Sequence, residues 1–246
     1  MPLFPQLSLS VVMPAYNEER LIEKSICRAV SSLDRMVGRY EILLIDDCSM
    51  DRTPALADAL AEQFPQVRVI HNAHNLRQGG CLMKGFPLAT CDLVTHNAVD
   101  YPFDFDDLPR VLEHFPAADV VVVTRRSYPA VSAGRRALSW MNRALIRGLF
   151  GLQVTDYNFV QFYKRSVLAE QRCFSAATAF ITVERTVRAH YGGHRVVALA
   201  ADYHARLAGV SSSGNMRVIA ASLRDMARLW IELRVSGARR AEGEMP

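Results

Sequence analysis

The sequence lacks the features that mark membrane-spanning, secreted and disulfide-bonded proteins. No apolar run approaches the ~18 residues that a bilayer-spanning helix needs. The first residues include no basic stretch followed by an apolar run, so we expect no signal peptide. The 5 cysteines are odd in number and have no C-x-x-C spacing, which predicts reduced thiols rather than disulfides or a zinc site. We therefore expect a cytoplasmic protein, either soluble or bound to a membrane surface.

A strong excess of charge is also missing. The net charge is +4 in 246 residues, and no basic run carries interleaved aromatic side chains. We therefore expect no nucleic-acid partner, because such partners require dense basic patches. The mild positive excess suits an anionic ligand such as a diphosphate, or an anionic membrane surface. The length and an apolar share of 50% predict one sizeable folded core.

Strand-like and helix-like patterns alternate along the chain, which predicts an α/β fold. The predicted strands cover residues 8–14, 41–45, 67–71, 93–97, 119–124 and 159–164, with one or two more in 195–206. The predicted helices cover residues 19–33, 53–63, 80–89, 105–114, 135–150, 180–191 and 216–234. This alternation is typical of a mostly parallel sheet with helices on both faces. Because no linker is evident, we expect one domain over residues 1–236 and a flexible tail over 237–246.

Polar residues follow the first two predicted strands at their C-terminal ends. The first strand runs into Pro14, Ala15, Tyr16, Asn17 and Glu18, and the second into Asp46 and Asp47. Parallel strands end at one edge of an open sheet, and ligands bind there. An aromatic ring with hydrogen-bonding groups suits a nucleobase, and carboxylates can accept from a base N–H or from ribose hydroxyls. For either segment alone, a buried strand with a polar cap is the alternative interpretation.

The start of two predicted helices carries further signals. Residues 75–86 form a polar, Gly-rich entry, in which Gly79 and Gly80 allow the backbone to approach a ligand closely. This segment lacks the G-x-x-x-x-G-K-[ST] pattern, which excludes a P-loop, and a tight turn without a ligand is the alternative. Thr53 and Pro54 predict a hydroxyl cap and a proline in the first turn of the second helix.

These motifs together resemble the opening of family 2 glycosyltransferases, which use nucleotide sugars. The resemblance continues through residues 156–165 and 203–213. They look like the Asp-x-x-x-Gly-Phe and Arg-x-x-Gly-x-Ser segments of dolichol-phosphate mannosyltransferases and bacterial polyprenyl-phosphate glycosyltransferases. Gln161 replaces the central glycine, and the lysine usual after the last serines is absent. The resemblance implies a GT-A fold. It implies nucleotide-sugar contacts by Pro14, Ala15, Tyr16, Glu18, Asp46, Asp47, Gly79 and Asp100.

The metal motif departs from the family pattern. Relatives typically carry Asp-x-Asp after the fourth strand, where the carboxylates hold Mg²⁺ or Mn²⁺ against the sugar diphosphate. In this chain the motif reads Ala98-Val99-Asp100. One carboxylate implies a weak metal site at Asp100 that shares the cation with phosphates, so a Mg or Mn requirement is doubtful. We expect the carboxylates that follow to cap the next helix: Asp104, Asp106 and Asp107.

The reaction that the resemblance implies displaces UDP or GDP from an anomeric carbon, with inversion. Arg125 and Arg206 would offset the charge of the leaving diphosphate. Asp156 would take the proton of a hydroxyl acceptor, although pairing with an arginine is the alternative. A polyprenyl-phosphate acceptor needs no general base, because its oxyanion is already a nucleophile. Candidate contacts for the acceptor or a phosphate are Arg135, Arg136, Ser139 and Ser211, although a surface-exposed helix face is the alternative interpretation of the arginine-rich stretch.

Three functions stay open at this point: transfer to a lipid phosphate, transfer to a soluble hydroxyl in natural-product or glycan biosynthesis, and an inactive nucleotide-binding scaffold. The final helix adds a peripheral membrane contact to the expected partners. We predict that one apolar stripe on it consists of Met216, Ile219, Ala220, Leu223, Ala227 and Trp230. That stripe would either pack on the core or, with the arginines outside it, lie on a membrane surface.

Overall fold

A computed structural model describes residues 1–100, 102–126, 133–152, 154, 156–157, 159–175, 180–201 and 216–243. Its strands are β1 (Phe4–Ala15), β2 (Val37–Asp46), β3 (Val67–His71), β4 (Leu93–His96), β5 (Val120–Arg125), β6 (Val160–Lys164) and β7 (Val196–Ala201). They form one 7-stranded sheet in the order β3-β2-β1-β4-β6-β5-β7. Only β6 runs antiparallel to its neighbours among the described strands. The predicted mostly parallel sheet is therefore confirmed.

The helices lie on both faces of this sheet, as predicted. They are α1 (Ile22–Met36), α2 (Thr53–Gln63), α3 (Arg77–Gly85), α4 (Leu108–Leu112), α5 (Ala133–Phe150), α6 (Arg165–Ala169), α7 (Ile181–Tyr191) and α8 (Met216–Gly243). Alternate residues of β1 point to opposite faces. Val11 and Met13 therefore join the core with α1 and α2, whereas Val12 joins the core with α3 and α7.

The close packing of α3 on the sheet explains one glycine of the Gly-rich segment. A Cβ on Gly85 would lie 2.5 Å from Val12 and 2.8 Å from Ile45. Any larger residue at this position would push the helix away from β1 and β2. Gly85 therefore allows α3 to pack closely on β1 and β2.

The predicted boundaries agree best where a turn residue marks them. The bounds of β3 and α2 match the prediction, whereas α3 ends early and continues as a 3-10 turn over Phe86–Leu88. Helix α6 was not predicted, because its five residues are too few for a helical period. Helical geometry in α8 runs through Gly243, and residues 244–246 lie outside the described residues. A flexible tail and the single-domain boundary stay predictions.

The predicted apolar stripe of α8 was wrong. Met226 and Leu229 are buried in a third core shared with α5 and α7, while Leu223 is 46% exposed. This helix carries apolar residues on more than one face, so periodicity alone does not choose the face that packs. No helix in the described part of the chain is long and apolar enough to cross a bilayer.

Candidate functional site

The C-terminal ends of β1, β2, β4 and β5 meet at one edge of the sheet. Ala15 of β1 lies opposite Asp46 of β2, and Val12 of β1 lies opposite His96 of β4. Strand β5 has the same direction, because β4 and β5 are both antiparallel to β6. The prediction that the first two strands end side by side is confirmed, and the polar segments after them form the candidate site.

The loops after β1 and β2 are tied together by hydrogen bonds. The amide of Asn17 donates to the Ser49 hydroxyl at 3.0 Å, and the Asn17 side chain accepts from the Met50 amide at 2.8 Å. Asn17 has a φ of 54°, a left-handed conformation that asparagine tolerates well. The Asn17 side chain thus binds the loop after β2. These bonds leave the neighbouring Tyr16 ring 47% exposed at the ligand edge, on a fixed backbone.

The hydroxyl of Thr53 takes part in the same connection. It accepts from the amide of Glu18 at 2.8 Å instead of capping its own helix, whose N-cap residue is Arg52. The predicted Thr53 cap was therefore wrong, because a long-range donor competes for the hydroxyl. Glu18 is placed at the site through its backbone, and Pro14 and Ala15 lie beneath it at the end of β1.

Asp47 is buried and its carboxylate holds the entry to α3. It accepts from the amides of Leu76 and Arg77, both at 2.7 Å, and from the Asn72 side chain at 2.9 Å. Arg77 has a φ of 60°, an uncommon conformation for a residue with a side chain. The carboxylate therefore stabilises a strained turn at the ligand edge.

Asn72 and Lys84 extend this network and were missed by sequence reasoning. The Lys84 ammonium donates to the Asn72 side-chain oxygen at 2.7 Å, which places a cation behind the turn. Burial raises the pKa of the Cys81 thiol to about 12, so this cysteine is not a nucleophile at neutral pH. Gly79 is buried in the first turn of α3. An isolated asparagine and lysine give no pattern that would have identified them.

The carboxylate of Asp46, the last residue of β2, bonds to β3 and to the loop after β2. It pairs with Nδ1 of His71 at 2.9 Å and accepts from the Ser49 amide at 3.1 Å. His71 also contacts Asp58 at 3.1 Å. The hydrogen bond that His71 donates to the Asp46 carboxylate raises the pKa of His71, and Asp58 acts in the same direction. Both aspartates of the motif thus hold neighbouring structure, and their direct contact with a nucleotide stays a prediction.

The end of β4 contains a buried histidine. His96 is 3% exposed, and its Nε2 donates to the side-chain oxygen of Gln161 at 2.9 Å. Burial lowers the pKa of His96 to about 4, and the nearby Arg185 charge acts in the same direction. Gln161 in turn donates to the Tyr157 carbonyl at 2.8 Å. The residue that replaces the expected glycine therefore holds a neutral imidazole under the site.

The loop after β4 contains Ala98-Val99-Asp100, the segment expected to correspond to the metal motif. The Asn97 side chain stabilises this loop, because it accepts from the Phe103 amide at 3.4 Å and donates to the Phe103 carbonyl at 2.9 Å. The Ser25 hydroxyl of α1 donates to the Val99 carbonyl. Ala98 supplies no ligand atom, and no three His, Cys, Asp or Glu side chains cluster for a metal within the described residues. This donor set does not fit a dedicated divalent-cation site. Asp100 would need phosphate oxygens and water to complete one.

Of the acidic residues expected to cap the next helix, Asp104 caps the 3-10 turn Phe105–Asp107, whereas Asp107 makes no side-chain capping hydrogen bond at the start of α4. Asp104 accepts from the amide of Asp106 at 3.2 Å and pairs with Arg28 of α1. Asp106 accepts from Ser32 and Arg35 of the same helix, at 2.8 Å each. These carboxylates fasten the turn before α4 to α1.

Arg125 and Asp156, two of the predicted catalytic residues, bind each other. The guanidinium donates through Nε at 2.6 Å and through a second nitrogen at 3.2 Å, and Asp156 is 5% exposed. Such a two-point pair fixes both groups and offsets their charges. The structure thus places Asp156 as a partner of an arginine, which was the alternative interpretation of its role.

The remaining predicted residues lie on or beyond α5. Arg136 and Ser139 are exposed on this helix. The side chain of Arg135, and residues Arg206 and Ser211, lie outside the described residues. Their contacts with an acceptor or a phosphate stay predictions.

A groove on the described surface lies away from these residues. It measures about 680 Å³ and is lined by apolar residues such as Phe4, Leu93 and Phe115, at the opposite edge of the sheet. Strand topology indicates the other edge as the ligand edge, because ligands of open α/β sheets bind outside the carboxyl ends of the strands.

Comparison with known proteins links this geometry to one family. The family model described as glycosyl transferase family 2 matches residues 10–174. An undecaprenyl-phosphate 4-deoxy-4-formamido-L-arabinose transferase from Aeromonas hydrophila is 28% identical, over 86% of this chain and 64% of the relative. Glycosyltransferase AglD from Haloferax volcanii is 27% identical, over 93% of this chain and 38% of the relative. The chain therefore spans less than two thirds of either relative.

Solved structures share the fold at low sequence identity. Glucosyl-3-phosphoglycerate synthase from Mycobacterium tuberculosis, in complex with Mn²⁺, UDP and phosphoglyceric acid, aligns with a TM-score of 0.66 at 21% identity. The alignment covers 89% of this chain and 78% of that one. A mannosyltransferase from Pyrobaculum calidifontis in complex with GDP-Man and Mn²⁺ aligns with a TM-score of 0.62 at 18% identity, over 97% and 66% of the two chains. These structures have the GT-A fold.

Proposed function

Because the chain belongs to glycosyl transferase family 2, we propose that it transfers a sugar from UDP or GDP to a polyprenyl-phosphate-type acceptor, with inversion. The observation that carries the proposal is the joined loops after β1 and β2, which leave the Tyr16 ring exposed beside the turn that Asp47 holds. The names of the relatives support a lipid-phosphate acceptor. The nucleotides in the similar structures support the donor class.

The donor would lie along the ligand edge. The Tyr16 ring offers a face for the base, and the turn at Leu76 and Arg77 gives a fixed wall for the ribose and diphosphate. Lys84 behind that turn contributes positive charge. In the reaction, the bond from the anomeric carbon to the diphosphate oxygen breaks while an acceptor oxygen attacks the opposite side. The leaving group gains negative charge, so cationic groups at this edge stabilise the transition state.

The pairing of Asp156 favours a phosphate acceptor over a hydroxyl acceptor. A hydroxyl must lose a proton to a base, whereas a phosphate oxyanion attacks without one. Asp156 is the base that the sequence offers, and both of its oxygens accept from Arg125. We therefore assign Asp156 to the positioning of Arg125, and Arg125 and Arg206 to the charge of the phosphates.

Donor turnover tests the proposal directly. The purified chain would be incubated with labelled UDP- and GDP-sugars, with and without a polyprenyl phosphate in detergent, and the product extracted into organic solvent. We expect label in the organic phase only when the lipid phosphate is present, and a large loss with Tyr16→Ala. If the label stays in the aqueous phase and is transferred to a hydroxyl acceptor, the proposed lipid-phosphate acceptor is wrong. If no donor is turned over, the chain is not an active transferase and the interpretation as an inactive nucleotide-binding scaffold applies.

A further inference from the structure

Helix α5 has a second apolar face that nothing in the described structure covers. Trp140 is 67% exposed, Met141 is 51% exposed and Leu145 is 38% exposed. The opposite side of the helix already packs, because Ile146 and Phe150 are buried in the core shared with α7 and α8. The exposed residues, with Ala144, form one continuous strip at helical spacing. We call these four residues the α5 strip.

The charge of α5 indicates what kind of surface would cover the strip. The helix contains four arginines and no aspartate or glutamate. Arg136, Arg143 and Arg147 fall in one row beside the strip, at spacings of seven and four residues. A helix with large apolar residues on one face and arginines along its border is typical of an interfacial membrane helix. Tryptophan in particular favours the level of the lipid head groups.

A second copy of the chain is a poorer occupant for this surface. Two α5 helices packed strip to strip would bring their arginine rows together without any carboxylate from either helix. Like charges opposed across an interface are unfavourable. An anionic bilayer offers both the apolar region and the negative charge.

The position of α5 relative to the site also fits a membrane surface. The helix begins eight residues after Arg125, the last residue of β5, which ends at the ligand edge. Helix α8 packs in the same core as α5 and exposes Leu223, Ile231 and Val235. A second apolar surface therefore lies on a helix that shares a core with α5. An acceptor held in a bilayer would then be presented near the donor.

The geometry points to α5 as a docking surface for an anionic lipid bilayer. Trp140, Met141 and Leu145 enter the boundary between head groups and acyl chains, and Arg136 and Arg147 contact the lipid phosphates. This inference rests on the proposed lipid-phosphate acceptor, and it names the surface from which that acceptor is reached. It does not involve the residues assigned to the donor.

Vesicle binding tests this surface through the tryptophans of the protein. The chain has 2 tryptophans, so Trp230→Phe leaves Trp140 as the only reporter. We expect a blue shift of Trp140 emission with vesicles of phosphatidylglycerol and phosphatidylcholine, and little change with phosphatidylcholine alone. Quenching by lipids brominated on their acyl chains would place the ring at the head-group boundary. High salt should weaken the binding, because it screens the arginine contacts.

Two sets of variants separate the apolar and the charged contributions. Met141→Ser with Leu145→Ser should weaken vesicle partitioning by about tenfold, since binding scales with the apolar area inserted. Arg136→Ser and Arg147→Ser should each weaken binding to anionic vesicles by about fivefold. Leu88→Ser is the control, because Leu88 is similarly exposed at 41% but lies outside α5. Donor hydrolysis without vesicles should be unchanged by Met141→Ser with Leu145→Ser.

The outcomes distinguish this inference from the proposed function. Unchanged Trp140 emission, equal binding to neutral vesicles, or an equal loss in the control would overturn the docking surface. So would a dimer that Leu145→Ser dissociates. If transfer to a lipid phosphate in detergent persists in these cases, the function stands without the surface. If the chain binds anionic vesicles through α5 but turns over no donor, the surface stands without the function.

Discussion

The two halves of the ligand edge are held by different kinds of interaction. In the half formed by β1, β2 and β3, the side chains of Asn17, Asp46 and Asp47 bind backbone amides of neighbouring loops. In the half formed by β4, β5 and β6, Asn97 and Gln161 also bind backbone groups, but Arg125 and Asp156 form a buried ion pair between two side chains. Backbone donors exist whatever the residue type, whereas a side-chain pair needs two specific residues. The second half should therefore be more sensitive to the loss of one side chain than the first.

The largest expected effect is the loss of the buried ion pair in the second half. Arg125→Ala removes the guanidinium that pairs with the buried Asp156 carboxylate and should lower the free energy of unfolding by about 4 kcal/mol. Asp156→Asn in the same chain should restore part of that loss. Denaturant unfolding measures both variants. Lys164→Ala, which breaks a more exposed pair with Asp119, is the control and should cost about 0–1 kcal/mol. Equal losses in the two single variants would contradict the comparison.

The buried imidazole of the second half should make stability depend on pH. The unfolded chain binds a proton at His96 near pH 6.5, whereas the folded chain does so only near the lowered pKa of about 4. The free energy of unfolding should therefore fall by about 3 kcal/mol as the pH drops from about 6.5 to about 4, because the unfolded state binds more protons there. His96→Asn should remove this slope, and unfolding curves at several pH values measure it.

His71 in the first half should behave in the opposite way. Its pKa is raised by Asp46, so its contribution to stability is complete below the unfolded pKa and is lost as the pH rises through the folded pKa. The His71→Asn variant should therefore differ from the natural chain only at the lower pH values. An identical pH profile for His71→Asn and His96→Asn would show that neither histidine is responsible.

The first half should respond to loss of the Asp47 carboxylate through both folding and binding. Asp47→Ala should lower the free energy of unfolding by about 2 kcal/mol and weaken nucleotide binding by about 1–3 kcal/mol, because the turn before α3 loses its acceptor. Asp58→Ala is the control, because Asp58 is an exposed carboxylate that contacts His71. If Asp47→Ala is as stable as the natural chain but does not bind nucleotide, Asp47 contacts the ligand directly.

The smallest expected effect concerns Ala98-Val99-Asp100 after β4, the segment expected to correspond to the metal motif. Ala98→Asp should tighten Mn²⁺ binding in the presence of nucleoside diphosphate by about tenfold, which corresponds to about 1.4 kcal/mol. Donor turnover in excess chelator should fall less steeply in the natural chain than in this variant. Ala98→Asn controls for the change in size. Tight Mn²⁺ binding by the natural chain without nucleotide would show that residues other than Asp100 form a full site.

Sequence reasoning reached most of the fold and part of the site. The bounds of β3 and α2 were predicted because buried alternation and a proline in the first helical turn are local signals. The adjacent ends of β1 and β2 followed from the rules of parallel sheets. The roles of Asn72, Lys84 and His71 were not predicted, since each depends on a partner that is 12 to 25 residues away. A helix over residues 135–150 was predicted, but the exposure of Trp140, Met141 and Leu145 was not, because periodicity alone does not choose which face packs.

The sequence by itself determined the α/β fold, the succession of its main strands and helices along the chain, and the family to which the chain belongs. These depend on local periodicity and on residue identity. Only the tertiary structure decided which partner each polar side chain takes: Thr53 bonds Glu18 instead of its own helix, and Asp156 bonds Arg125. The structure also decided which face of α5 and of α8 packs. The physical reason is competition, because each polar group and each apolar face has several possible partners, and the folded chain brings only some of them within reach.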